Sequence, residues 1–104
     1  MQEKKRYVLV RFRCETALSR EDASKAVSQA VLEGIGALGA AKAKAYLKEY
    51  DEDDGSGVVK CQTEMLQEVR ASLALKNSYL GKPLAIRTEK TSGAIGKVWK
   101  KKPA

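Results

Sequence analysis

The side chains best suited to chemistry in this chain are cations that stand beside aromatic rings. Near the N-terminus, Arg11 and Arg13 follow Tyr7 at alternate positions. Near the C-terminus, Trp99 lies within a run of lysines: Lys97, Lys100, Lys101 and Lys102. Guanidinium and ammonium groups bind phosphates, and flat aromatic rings stack on bases. The pattern therefore indicates non-covalent binding of a polyanion such as RNA.

The sequence lacks the residues that covalent or metal-based catalysis usually requires. There is no histidine, and the two cysteines, Cys14 and Cys61, are not spaced as a metal-binding CxxC pair. The acidic residues at 51–54 resemble a calcium loop, but the EF-hand pattern fails at Gly55 and at Gln62. We therefore expect no catalytic residue, metal site or cofactor in the protein, and we expect both cysteines to be buried, reduced thiols.

A glycine-rich segment from Gly34 to Gly39 matches the GxGxxG spacing of dinucleotide sites. That fingerprint requires the glycines to lie between a strand and the start of a helix. Here they follow an apolar stripe of helical period instead. We therefore expect them to end a helix and to connect it tightly to the next strand.

Length and charge both favour one small domain that binds nucleic acid. The chain has 104 residues, of which 43% are hydrophobic, enough for a single modest core. Its 20 lysine and arginine residues against 13 acids give a formal charge of +7, which favours polyanionic partners. We predict a binding domain at residues 1–90 and a basic C-terminal tail at 91–104. No apolar run approaches the roughly 20 residues of a membrane span, so we expect a cytoplasmic protein without membrane contact.

Apolar periodicity predicts four strands and two helices. The predicted strands are 6–14, 45–50, 57–63 and 84–89. One helix begins after the N-cap Ser19 and the other after Thr63. The first carries an apolar stripe: Ala23, Ala26, Val27, Ala30, Val31, Ile35 and Leu38. The order β-α-β-β-α-β predicts an α+β fold of the ferredoxin-like or RRM-like kind with an antiparallel sheet.

In such a fold the helices cover one sheet face and leave the other open. Strand alternation places these residues on the open face: Tyr7, Leu9, Arg11, Arg13, Tyr46, Lys48, Tyr50, Val58, Lys60, Gln62, Ala85 and Arg87. We predict RNA contacts from Arg11, Arg13, Lys60, Arg87, Lys90, Lys97, Trp99, Lys100, Lys101 and Lys102. We predict an interface with a protein partner at Tyr7, Leu9, Tyr46 and Tyr50. Residues 57–62 lack the RNP1 pattern, so RNA and protein both stay candidates for the face.

Blocks of sequence along most of the chain resemble one known family. They lie at 5–9, 33–41, 57–61, 68–75 and 91–97, with Tyr50 before the acidic loop. In order and spacing they are similar to archaeal ribonuclease P protein component 2. Lys60 stands where that family has arginine, and Ala94 stands where it has a bulkier residue. Lysine keeps the positive charge of arginine but loses the planar fork that grips a phosphate with two bonds.

The resemblance implies a ferredoxin-like fold, partnership with ribonuclease P protein component 3 and a tendency to form homodimers. It also implies participation with ribonuclease P RNA in removing the 5′ leader of precursor tRNA. In that family magnesium bound to the RNA subunit supports the chemistry. We therefore expect a non-catalytic subunit that stabilises the catalytic RNA. The alternative is a ferredoxin-like domain that senses a small molecule, which would not bind RNA in a salt-dependent way.

Overall fold

The computed structural model describes residues 4–99. Its helices and strands are β1 (Lys5–Cys14), α1 (Arg20–Ala43), β2 (Tyr46–Asp51), β3 (Ser56–Gln62), α2 (Leu66–Leu75), β4 (Ser78–Tyr79) and β5 (Lys82–Ser92). Single turns of 3-10 helix lie at Thr63–Met65 and Ile95–Lys97. The predicted order of six elements and the ferredoxin-like fold class are confirmed, and the short β4 is an addition.

β1 is the central strand of a sheet whose order is β2-β3-β1-β5-β4. It pairs antiparallel with β3, where Val8 lies opposite Val59, and with β5, where Phe12 lies opposite Ile86. Alternate residues of β1, including Val10, are buried beneath the helices. The intervening residues point to the open face, so the period-two pattern of the sequence is confirmed for this strand.

The core fills the space between the sheet and the two helices. β1, β3 and β5 supply branched and aromatic side chains, and α1 supplies mainly small ones: Ala23, Ala26, Val27, Ala30 and Val31. α2 adds Val69 and Leu73, both wholly buried. Small residues on α1 allow its backbone to approach its neighbours closely. Neither of the described helices combines the length and apolarity needed to cross a bilayer.

α1 begins where the sequence predicts and ends later. The Ser19 hydroxyl accepts a hydrogen bond from the Asp22 backbone at 3.1 Å, which confirms the N-cap. Gly36 interrupts the helix with a φ of 73°, but helical structure continues to Ala43, so the glycines break the helix rather than end it. The break changes which residues face the sheet. Leu38, predicted in the buried stripe, is 90% exposed.

Gly34 is a point of close approach between α1 and α2. A Cβ at this position would lie 2.1 Å from the Ser72 hydroxyl oxygen and 2.5 Å from its Cβ. Ser72 is buried, and its hydroxyl donates to the Glu68 carbonyl at 2.8 Å. The absence of a side chain at Gly34 is therefore what lets the two helices pack together.

We expect Gly34→Ala to lower the free energy of unfolding by roughly 1 to 3 kcal/mol, because overpacking outweighs the better helix propensity of alanine. Gly96→Ala is the control, since nothing lies within 4 Å of the added Cβ there. Urea unfolding of both variants measures the difference. Equal stability of the two variants would contradict the close approach.

A β-bulge in β2 turns Tyr50 to the helix side of the sheet. The register shifts between Leu47 and Glu49, so that Glu49 lies opposite Val58. The Tyr50 ring meets Phe12 edge-on at 5.6 Å, and its hydroxyl donates to the Leu18 carbonyl at 2.8 Å. Burial raises the pKa of the Tyr50 hydroxyl, which keeps this donor protonated. The predicted place of Tyr50 on the open face is wrong, because the bulge adds one residue to the alternation.

The chain after α2 differs from the predicted loop at 78–82. β4 and β5 form a hairpin in which Ser78 lies opposite Pro83. Leu80 and Gly81 join the strands with φ values of 51° and 77°, as a type I′ turn requires. β5 then runs to Ser92, so the predicted boundary between domain and tail falls inside a strand.

The two cysteines lie far apart on the sheet. Cys61 is opposite Arg6, whereas Cys14 lies eight residues further along β1 and opposite Leu84. This spacing separates the thiols by roughly 25 Å. Burial raises the pKa of the Cys61 thiol to about 11, which makes it a poor nucleophile near neutral pH. Cys14 is only half-buried, and its thiol donates to the Thr16 carbonyl at 2.7 Å.

Replacement by serine should distinguish these two thiols. We expect Cys61→Ser to destabilise the fold by roughly 1 to 3 kcal/mol, because a hydroxyl in that buried apolar position lacks a partner. Cys14→Ser should cost less, since the new hydroxyl can donate to the same Thr16 carbonyl. Chemical denaturation of each variant checks the order, and a larger loss for Cys14→Ser would contradict it.

Candidate nucleic-acid interface

The pairing of β1 with its two neighbours sets side chains in rows across the open face. In the first row, Lys60 of β3 lies opposite both Tyr7 of β1 and Tyr46 of β2. The Lys60 Nζ is 6.0 Å from the Tyr7 ring centroid and 5.8 Å from the Tyr46 ring centroid. Both distances fall near the outer limit for a cation–π contact. We call these three residues the tyrosine–lysine row.

Two rows further along β1, arginines dominate the face. Arg11 lies opposite Arg87, and Arg13 lies opposite Ala85 in the next row. Arg13 and Arg87 are exposed, and within residues 4–99 neither side chain makes a hydrogen bond or an ion pair. These two guanidinium groups are therefore available to phosphate.

Arg11 is held differently from the other two arginines. Its Nε lies 3.1 Å from a Glu89 carboxylate oxygen, and its Nη1 donates to the Asp54 carbonyl at 3.2 Å. The ion pair is partly exposed, so it contributes little to stability, but it fixes the direction of the side chain. The predicted RNA contact of Arg11 stays a prediction. To bind a phosphate, the Arg11 guanidinium group would have to divide its hydrogen bonds between the phosphate and Glu89, or move away from Glu89.

A second bulge determines where Glu89 and Lys90 lie. The register between β1 and β5 shifts at Leu9 and Val10, so Leu9 lies opposite Lys90 and Val10 lies opposite Thr88. Glu89 is the extra residue. The shift puts exposed Lys90 on the open face, whereas uninterrupted alternation from Leu84 would put it under the helices. Sequence reasoning missed Glu89 as the partner of Arg11 because no pattern in β5 signals the bulge.

The middle row of the open face is covered. Val58 lies opposite Leu9 on this face, yet it is wholly buried. Val98 is also buried, and neither valine belongs to the core beneath the helices. We attribute the burial of Val58 and Val98 to residues 93–99. This segment follows Ser92, the last residue of β5, which lies opposite Tyr7. The predicted exposure of Val58 is therefore wrong, and the covered row separates the tyrosine–lysine row from the arginines.

The remaining predicted contacts lie at the C-terminus and at one end of β1. Lys97 is exposed and Trp99 is half-buried, with the Trp99 backbone donating to the Ile95 carbonyl at 2.8 Å. The predicted contacts of Lys100, Lys101 and Lys102 lie outside the described residues. Sequence reasoning also missed Lys5, which is exposed opposite Gln62. Two-residue alternation back from Tyr7 would have found it.

The acidic loop is ordered by its own side chains. Asp51 accepts a hydrogen bond from the Asp53 backbone at 2.9 Å, and Asp54 accepts from the backbone and hydroxyl of Ser56 at 3.0 and 2.6 Å. Glu52 accepts from the Arg20 backbone at 3.1 Å, which joins the loop to the start of α1. These carboxylates therefore shape a tight turn beside the cationic face.

Fold and surface together define a ferredoxin-like domain with a basic open face. The chain belongs to the Rpp14/Pop5 family, whose model matches residues 6–102. It is 31% identical over 101 residues to ribonuclease P protein component 2 of Pyrococcus abyssi, a match that covers 97% of this chain and 86% of the relative. It is 33% identical over 97 residues to the protein of that name from Methanocaldococcus jannaschii, covering 93% and 71%.

A solved structure supports the fold independently of sequence identity. A chain in the cryo-EM structure of yeast ribonuclease MRP superimposes with a TM-score of 0.73 at 11% identity. The match covers 91% of this chain and 78% of the yeast chain. At this identity the likeness bears on the fold alone. The resemblance identified from the sequence is confirmed by the family match and by the archaeal relatives.

The two exposed arginines provide a direct test of the open face. We expect the double variant Arg13→Gln and Arg87→Gln to fold normally and to bind RNA more weakly. The slope of log affinity against log salt should become shallower by roughly 0.7 to 0.9 for each phosphate that the variant no longer binds. The measurement is a titration of RNA binding at several salt concentrations.

The matched control removes the same charge from the helical side. Lys25 and Lys42 are exposed on α1, so Lys25→Gln with Lys42→Gln lowers the net charge equally without touching the open face. If both double variants reduce the slope equally, the effect is one of net charge and the open face is not the RNA-binding surface.

Proposed function

We propose that this chain is a protein subunit of ribonuclease P that binds the catalytic RNA through its open face. The archaeal relatives carry the name ribonuclease P protein component 2 and match almost the whole chain. The observation that carries RNA binding is the pair of exposed guanidinium groups of Arg13 and Arg87, which have no partner among residues 4–99 and lie on a sheet face that also presents Lys60 and Lys90. A surface of this charge attracts phosphates.

The proposed mechanism is electrostatic. A folded RNA brings many phosphates together, and their repulsion must be offset by bound cations or by a protein. Lysine and arginine placed against the backbone reduce that repulsion and release counterions. The chain therefore stabilises the active fold of the RNA, while magnesium on the RNA supports cleavage of the 5′ leader from precursor tRNA. The chain supplies no catalytic group and no cofactor.

The proposed protein partners are ribonuclease P protein component 3 and a second copy of this chain, in the cytoplasm. The predicted partner interface is Tyr7, Leu9, Tyr46 and Tyr50. Tyr50 lies on the helix side instead, and RNA would compete with a protein for the other three. The helical side instead exposes three large apolar residues: Leu32 at 52%, Leu75 at 76% and Leu38 at 90%. We therefore place the contact with component 3 on the helical side, because exposed apolar side chains favour protein association.

The alternative function, sensing of a small molecule, receives less support from the shape of the domain. One hollow of about 120 Å³ lies between the end of β1, the start of α1 and the β4–β5 hairpin, and includes Cys14 and Tyr79. Another of about 180 Å³ lies beside the acidic loop. Sites for metabolites usually enclose about 300 to 1,000 Å³. Neither hollow reaches that range.

Cleavage of precursor tRNA across a magnesium series tests the proposal. We expect the cognate RNA alone to need high magnesium, and the RNA with this chain and component 3 to cleave at a lower concentration. The cause is that protein cations replace part of the charge that divalent ions otherwise neutralise. The purified chain without RNA should not cleave. Cleavage by the chain alone would overturn the proposal, and so would a magnesium requirement that the two proteins leave unchanged.

Two variants separate the contributions to this activity. The double variant Arg13→Gln and Arg87→Gln should raise the magnesium requirement. Leu38→Asp should abolish the benefit of adding component 3 while leaving direct RNA binding by this chain intact. Because Leu38 is 90% exposed, its replacement should not disturb the fold. Normal cooperation of Leu38→Asp with component 3 would remove the helical side from the partner interface.

A further inference from the structure

We infer that the tyrosine–lysine row is a binding site for single-stranded RNA, in which a phosphate meets Lys60 and an unpaired base stacks on Tyr46. The inference rests on the proposed RNA-binding function. It adds that this row binds one part of the RNA, an unpaired base and a phosphate. It replaces the predicted protein interface at Tyr7 and Tyr46. The basis is the geometry of three side chains on three neighbouring strands.

Lys60 is positioned before any ligand arrives. Its Nζ lies 6.0 and 5.8 Å from the ring centroids of Tyr7 and Tyr46, which flank it on both sides. At these distances each ring attracts the ammonium group only weakly, but the two attractions from opposite sides together restrict its movement. A lysine without neighbouring rings would lose its side-chain freedom only at the moment of binding. A pre-ordered cation therefore binds phosphate at a lower entropic cost.

Tyr46 has room for a base. It lies on β2, the edge strand of the described sheet, so no further strand flanks it on the side away from Lys60. Its 44% exposure is high for a tyrosine within a strand. A base that approaches from the edge can stack on this ring while its phosphate stays near Lys60. Stacking of this kind tolerates any base, because every base has a flat face.

The charges around the row favour RNA over a protein partner. Lys5 lies in the adjoining row opposite Gln62, and Lys90 lies beyond Leu9 on the same face. Glu49 is the nearest acid on this face by register, opposite Val58. Glu89, next to Lys90, is paired with Arg11, so the lysines around the row outnumber the acids and suit a phosphate chain.

The row can distinguish unpaired from paired RNA. In an A-form duplex the base faces are stacked on one another, and side chains reach mainly phosphates and 2′-hydroxyls. An aromatic ring can stack only on a base that is unpaired or at an end. Arg13 and Arg87 need only a phosphate in order to bind RNA. The buried Val58 separates them from the tyrosine–lysine row. The open face therefore combines a backbone-binding part with a part that requires a single strand.

Binding of two short RNA probes tests this inference. One probe is a fluorescein-labelled oligouridylate and the other is a blunt RNA duplex of the same length. We expect Tyr46→Leu to weaken oligouridylate binding by about five- to hundredfold, with no change in the salt slope and no change in duplex binding. Tyr46→Phe keeps the ring and should restore the affinity. Lys60→Met should make the slope of log affinity against log salt shallower by about 0.7, because the protein then neutralises one phosphate fewer of the single strand.

The controls separate this inference from the proposed function. Lys42→Met removes a lysine on α1 and should bind the oligouridylate nearly as wild type does. Thermal melting of every variant verifies folding, and exposed Tyr46 should tolerate leucine. Wild-type affinity of Tyr46→Leu for the oligouridylate would overturn the inference. Equal weakening of both probes would do the same, because a duplex offers free base faces only at its two ends, and the loss of stacking there cannot match the loss along a single strand.

Three further outcomes are decisive. If Tyr46→Leu keeps RNA binding but no longer binds component 3, the row is a protein interface and the inference is wrong. If wild type lowers the magnesium requirement of the cognate RNA but shows no preference for the oligouridylate over the duplex, the inference fails while the proposed function stands. If wild type binds neither the cognate RNA nor the probes, the proposed function fails as well.

Discussion

The antiparallel hydrogen bonding of β1 to both β3 and β5 is the constraint on which the rest of the structure depends. It sets Val8 opposite Val59 and Phe12 opposite Ile86, which builds the core beneath the helices. The same register sets Tyr7 opposite Lys60 on the other face. A slip of one residue would exchange the two faces and bury the arginines. Burial of the valines therefore also determines the position of the cations.

The cationic face carries an electrostatic cost that the fold reduces only in part. Arg11 and Arg87 lie directly opposite each other, an arrangement that destabilises a sheet. The bulge in β5 supplies Glu89, whose carboxylate lies 3.1 Å from Arg11, while Arg13 and Arg87 have no such partner among residues 4–99. A face that retains unpaired cations after folding is suited to an external anion, and RNA supplies one.

The helical side follows a different principle, in which small residues allow close contact. Gly34 leaves space for Ser72, and the buried Lys76 joins the end of α2 to α1 through Glu33 at 3.0 Å and Gln29 at 3.3 Å. Because the Lys76 side chain is only 6% exposed, its charge depends on Glu33 for compensation. This packing gives the sheet a rigid support and leaves the open face to binding.

The sequence alone determined the order of the six main elements, the Ser19 cap and the faces of β1, because period-two and helical patterns are local properties. It also carried the family resemblance. Only the tertiary structure decided the two bulges, which put Tyr50 on the helix side and Lys90 on the open face. It also decided the exposure of Leu38 and the burial of Val58. Bulges, helix breaks and covering segments depend on how distant parts of the chain fit together, and an uninterrupted alternation pattern contains no signal for them.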